Sequence, residues 1–148
     1  MRKVPTSGFS MIELIVVLGI MGIIVAIALP NWHSLLPSYA LNNSTRQIQS
    51  ELHHIKMRAA AENTGFQLAY LQGASEYTIQ RDSTPLQTNP VAAGTSIRKA
   101  GTISFTPRGT AGANRVRLRN ANGACRQIVV TATGRVRICT PNSCAEDC

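Results

Sequence analysis

Three kinds of hydrophobic patterning follow one another along the chain. From Ile12 to Leu29 nearly every residue is apolar, and Glu13 is the only charge. Counted from Phe9, this run of about 21 residues would span about 30 Å as a helix, the thickness of a bilayer core. Pro30 and Pro37 come next, and proline inside a helix predicts a kink or a local break there. Beyond them Leu41, Ile48, Leu52, Ile55 and Ala59 recur at helical spacing. They predict one apolar stripe on an amphipathic helix over about 38–64. Asn63-Thr64-Gly65 supplies its stop.

From Phe66 the period shortens to two. Phe66–Leu71 and Tyr77–Arg81 read as strands flanking a hairpin turn over 72–76, and 82–96 reads as a long loop rich in turn residues. Further strands are expected at Ile103–Phe105, Arg115–Arg119, Arg126–Ala132 and Arg135–Cys139, the last two joined by a turn at Thr133-Gly134. The expected class is α+β, with a long N-terminal hydrophobic helix packed on an antiparallel sheet. The expected organisation is a leader at 1–8, an apolar helix at 9–29 and a soluble domain at 30–148, β-rich from 66 onward.

Charge is distributed unevenly over these segments. Residues 9–97 hold four basic and five acidic groups, a net of −1. Residues 98–148 hold nine basic groups against Glu146 and Asp147, a net of +7. Eight of the nine are arginine, whose planar fork suits bidentate contact with phosphate. Arg115-Val116-Arg117-Leu118-Arg119 and Arg135-Val136-Arg137-Ile138 alternate strictly, so a strand sends their apolar residues inward and their arginines outward. Rows of like charge destabilise a sheet, and a polyanionic ligand would relieve them. Solvation alone is the plainer alternative. The same third holds a single aromatic, Phe105, which argues against stacking on single-stranded bases.

The four cysteines, Cys125, Cys139, Cys144 and Cys148, all fall late in the chain. An even number in an otherwise cysteine-free chain predicts two disulfides and an oxidising compartment. Of three possible pairings, the preferred one joins Cys125 to Cys139 across the last hairpin and Cys144 to Cys148 in the tail. A zinc site is the weaker alternative, because there is no Cys-x-x-Cys knuckle and no nearby histidine. His53 and His54 are adjacent, diverge on a helix, and read as surface residues. Scattered carboxylates, distant histidines and the lack of a phosphate loop or nucleophile elbow argue against an enzyme, and no cofactor or metal is expected.

The N-terminus is short, basic at Arg2 and Lys3, and ends in Gly8 just before the apolar run. The basic pair predicts that this end stays cytoplasmic while the remainder crosses outward. No small-x-small site follows the apolar run, unlike an ordinary secretory signal. Glu13 is out of place in a membrane helix, where a carboxylate at the bilayer centre costs about 2.5–3.5 kcal/mol. It either lies hydrated at the interface or pairs with a positive group, the nearest being a new amino terminus at Phe9.

Gly8-Phe9-Ser10-Met11-Ile12-Glu13-Leu14 followed by the apolar run resembles the class III signal of type IV pilins and pseudopilins. The resemblance implies cleavage after Gly8 by a prepilin peptidase, N-methylation of Phe9, and a role for Glu13 in filament assembly. Pro30 matches the family's helix-breaking proline. It also implies an inner-membrane subunit with a periplasmic domain, later packed among other pilin subunits in a surface filament. Thr133-Gly134-Arg135-Val136-Arg137 with a cysteine-containing tail is similar to the C-terminal region of FimT-like minor pilins, relatives of the GspH-like pseudopilins. Their Gly-Arg-x-Arg motif contributes to DNA binding in natural transformation. The match implies non-specific DNA binding at Gly134, Arg135 and Arg137, with Arg98, Lys99, Arg115, Arg117, Arg119 and Arg126 in support. A purely structural minor pseudopilin of a type IV pilus or type II secretion filament is the alternative.

Overall fold

The computed structural model describes residues 9–146, with the side chains of 29–34 excepted. Gly8 and Cys148, which carry the expected cleavage point and one disulfide position, lie outside the described residues. The chain forms two compact units divided at Leu35/Leu36. One helix, α1 (Met11–Ala61), contributes to both. It is continuous through Pro30 and Pro37, where a break was expected. Each ring removes only one backbone donor, and the hydrogen bonds on either side carry the helix past it.

In the first unit, Ser10 accepts the first helical hydrogen bond from the Leu14 amide at 3.2 Å. Glu13 sits in the first turn, where the helix dipole favours a carboxylate. The window Met11–Ala28 has a mean hydropathy of 2.8 and buries nothing within the chain, so it is apolar and long enough to cross a membrane.

In the second unit, α1 ends as expected. The Thr64 amide bonds the Ala59 carbonyl, and Asn63 turns the chain out with φ 49°. Leu41, Ile48, Leu52, Ile55 and Ala59 are all buried, as their spacing predicts. His53 and His54 are exposed.

The strands form two four-stranded antiparallel sheets rather than one. The first has the order β3-β2-β1-β5, built from β1 (Phe66–Tyr70), β2 (Glu76–Arg81), β3 (Thr84–Pro90) and β5 (Gly101–Phe105). The second has the order β4-β6-β7-β8, built from β4 (Thr95–Ile97), β6 (Asn114–Asn120), β7 (Cys125–Val130) and β8 (Val136–Cys139). Their inward rows, including Phe66, Leu68, Tyr77, Ile103, Phe105, Val116, Leu118 and Ile128, join the helix stripe in one core. Each such side chain contributes about 1.5–3 kcal/mol of burial. Tyr70 ties the sheets together by donating its hydroxyl to the Arg115 carbonyl at 2.9 Å, and burial pushes its pKa up to about 12.

Strands β3 and β4 occupy the stretch read as a loop. Asp82 and Ser83 both take positive φ, 45° and 70°, and form a two-residue hairpin turn without glycine. β3 is an exposed edge strand whose prolines, Pro85 and Pro90, are tolerated because only one side is paired. Its pairing comes from the β2 backbone, so its side chains carry no strand pattern.

The preferred disulfide pairing is overturned. Cys125 bonds Cys144, with Cα atoms 5.4 Å apart, and Cys139 is also disulfide-bonded. Register explains this. Cys139 lies opposite Gln127, two residues past Cys125. Cys125 and Cys139 are therefore diagonal neighbours at about 7–8 Å, beyond comfortable disulfide reach. Since Cys144 is taken by Cys125, the expected Cys144–Cys148 bridge is excluded as well. The observed link closes a loop across a sequence separation of 19. Such a loop is worth about 3 kcal/mol in the chain-entropy estimate.

Candidate nucleic-acid interface

The core claims one face of the second sheet, through Val116, Leu118, Ile128, Val130 and Val136. The pleat then assigns the opposite face to Arg115, Arg117 and Arg119 of β6 and Arg137 of β8. Register sets these side chains in rows. Arg115 lies opposite Val129, which lies opposite Arg137. Arg117 lies opposite Gln127, and Arg119 lies between Cys125 of β7 and Ser96 of β4. Just past β4, the Arg98 amide bonds the Arg117 carbonyl at 2.9 Å, which continues the ladder to a fifth arginine on this face. A groove of about 480 Å³ is lined by Lys99, Asn114, Arg115, Arg117, Val129 and Thr131. Arg98, Lys99, Arg119, Arg135 and Arg137 are exposed, while Arg115 and Arg117 are half-buried.

Two expected members of the surface are placed differently. Arg126 pairs with Leu118 and so belongs to the core side of β7, at the sheet rim, where its guanidinium bonds the Thr140 hydroxyl at 3.0 Å. Gly134 is buried, and both of its backbone groups are used. Its amide bonds the Thr131 carbonyl at 2.8 Å, and its carbonyl accepts from Lys56 Nζ at 2.9 Å. Gly134 therefore shapes the turn that presents Arg135, with both of its backbone groups bonded within the protein. With φ 73° it closes a three-residue hairpin loop, a conformation that favours glycine.

The C-terminal tail crosses the same outer face. The Cys125–Cys144 bridge anchors it, and the Gln127 amide donates to the Glu146 carbonyl. That cover explains why Gln127 is fully buried although it points away from the core. The alternation of polar and apolar residues could not reveal it, because the covering segment has no regular structure.

Electrostatically the two halves of the domain differ. Near the end of α1, Glu62 holds both Arg58, at 2.8 Å, and Arg81, at 3.3 Å. The Arg58 hydrogen bond is the main reason its carboxyl titrates below the usual range. By contrast, Arg98, Lys99, Arg108, Arg119, Arg135 and Arg137 meet no carboxylate among the described residues. Arg108 was not among the expected contact residues. Its loop has no strand alternation, and only the tertiary fold brings it to the Gly134 turn.

Comparison with known proteins agrees with this architecture. The family model described as "Type II transport protein GspH" matches residues 44–134, and the prokaryotic N-terminal methylation motif matches residues 5–29. Among solved structures, the type IV minor pilin FimU of Pseudomonas aeruginosa is similar, with 16% identity and a TM-score of 0.57. The similarity covers 70% of this chain and 99% of that one. The minor pseudopilin EpsH of the Vibrio cholerae type 2 secretion system is similar at 10% identity and a TM-score of 0.57, covering 70% of this chain and 98% of that one. No curated protein matches the sequence significantly.

Proposed function

Because the chain belongs to the GspH family of minor pilins and pseudopilins, we propose that it is a minor type IV pilin that binds extracellular DNA for uptake in natural transformation. The observation that carries this reading is the outer face of the second sheet. There five arginines share one face, and the exposed ones meet no carboxylate among the described residues. Phosphates supply the missing negative charge, and guanidinium forks bind them in pairs. Phosphate contacts carry no base information, so binding is indifferent to sequence. Among the described residues no helix lies on this face to enter a groove, since α1 buries its stripe against the sheets. Phe105, the one aromatic of residues 98–148, is buried, so that third presents no aromatic platform for single-strand stacking.

Affinity is expected within the non-specific range, a Kd of about 10⁻⁴–10⁻⁶ M. The test is a mobility shift of duplex DNA by the full chain in detergent at low and high salt. Binding at low salt that falls steeply as counterions are released is the expected result. No shift at low salt would leave the purely structural pseudopilin as the better reading.

Delivery to the filament rests on the first unit. A prepilin peptidase cuts after Gly8, Phe9 becomes the methylated N-terminus, and the apolar helix holds the subunit in the inner membrane with its domain in the periplasm. Glu13 then pairs with the amino terminus of a neighbouring subunit. Glu13→Ala should still insert in the membrane, since it removes a charge from an apolar helix. It should be lost from sheared filaments, as quantified by immunoblot. Mass spectrometry of the inserted variant should still report Phe9 as first residue, and normal incorporation would rule the pairing out.

A further inference from the structure

We infer that Arg108 is a third phosphate-binding arginine at the β7–β8 hairpin tip, held beside Arg135 by a joint between two turns; this rests on the DNA-binding reading above. The turn over residues 106–110 and the turn over residues 131–135 have the same construction. In the first, the Thr106 amide bonds the Thr110 carbonyl and the Gly109 amide bonds the Thr106 carbonyl, both at 2.9 Å. In the second, the Thr131 amide bonds the Arg135 carbonyl at 3.1 Å and the Gly134 amide bonds the Thr131 carbonyl at 2.8 Å. Each loop ends in a left-handed glycine, Gly109 at φ 78° and Gly134 at φ 73°.

These turns abut. The Ala111 amide bonds the Ala132 carbonyl at 3.0 Å, next to both loops. A Cβ on Gly134 would run into the Gly109 carbonyl oxygen, so no side chain separates the two backbones. Lys56 of α1 closes the joint from below. Its Nζ bonds the Gly134 carbonyl, and its Cε lies 3.5 Å from where a Gly109 Cβ would stand. Arg108 immediately precedes Gly109 and Arg135 immediately follows Gly134, and both side chains are exposed.

The joint thus gathers Lys56, Arg108 and Arg135 with no carboxylate in contact with any of them among the described residues. Like charges carried on abutting turns repel one another, and a phosphodiester backbone lying across both turns would relieve that repulsion. The backbone groups of both turns are largely occupied internally, so the arginine side chains are what the turns present.

The test compares Arg108→Gln, Arg135→Gln and Arg46→Gln in the full chain in detergent, by anisotropy of a labelled DNA duplex across a salt series. Arg46 is an exposed arginine of α1 and controls for net charge. Each lost phosphate contact should lower the slope of log K against log salt by about 0.9, worth roughly threefold in affinity at low salt. Arg108→Gln and Arg135→Gln should each show that loss, and Arg46→Gln should match the parent. The inference is overturned if Arg108→Gln keeps the parental slope while Arg135→Gln loses affinity, which leaves the DNA-binding reading intact. It is overturned equally if Arg46→Gln weakens binding as much as Arg108→Gln does. If the parent does not bind at all, the DNA-binding reading itself fails.

Discussion

Replacing Arg135 and Arg137 together with glutamine should weaken duplex DNA binding about tenfold at low salt and flatten the salt slope by about 1.8, as two phosphate contacts disappear. Both side chains are exposed, one in the turn and one on the edge strand β8. Their loss removes no core packing, so thermal unfolding should stay close to that of the parent. Charged residues on an edge strand also discourage unwanted strand pairing, and that is the competing explanation for them. The two explanations separate cleanly. A role confined to edge protection leaves DNA affinity unchanged and raises aggregation, whereas a phosphate-binding role lowers affinity in a soluble, folded variant. A double variant that binds as the parent does at equal ionic strength would overturn the assignment of these arginines.

Gly134→Ala should produce the opposite profile, a large loss of stability from a residue whose backbone groups are bonded within the protein. Its φ of 73° is strained for any residue with a Cβ, and the added methyl would meet the Gly109 carbonyl, a backbone atom that cannot swing aside. Left-handed strain and overpacking together are worth roughly 2–4 kcal/mol. For a domain of this size that lowers Tm by roughly 10–20 °C. Calorimetry on the full chain in detergent would measure it. A variant melting within about 2 °C of the parent would show that the joint is soft. Weakened DNA binding by the folded fraction would follow from displacement of Arg108 and Arg135 rather than from a lost glycine contact. Within the Gly-Arg-x-Arg motif, then, the glycine's part is to position the turn, and the proposed phosphate contacts fall to the arginines.

Several features were legible in the residues alone because they depend on local periodicity. The apolar run before Pro30 needs no partner to be recognised, since its length and composition match a bilayer core. The spacing of Leu41, Ile48, Leu52, Ile55 and Ala59 identified the buried stripe of α1, because a helix repeats its face every 3.6 residues. Strict alternation likewise marked β6 and β8, and with them the outward direction of Arg115, Arg117, Arg119 and Arg137. Tertiary structure decided whatever depends on contacts between distant segments. β3 exists because β2 offers it a ladder, although its own side chains remain in solvent. Arg126 shares its parity with the core residues Ile128 and Val130, and only its place at the end of β7, bonded to Thr140, lets a charged side chain stand on that side. The cysteine pairing followed a two-residue offset between direct and diagonal neighbours across a hairpin, a register the residues alone did not reveal. Arg108 joined the arginine surface only because Gly109 and Gly134 let two turns meet backbone to backbone, a contact that leaves no periodic trace along the chain.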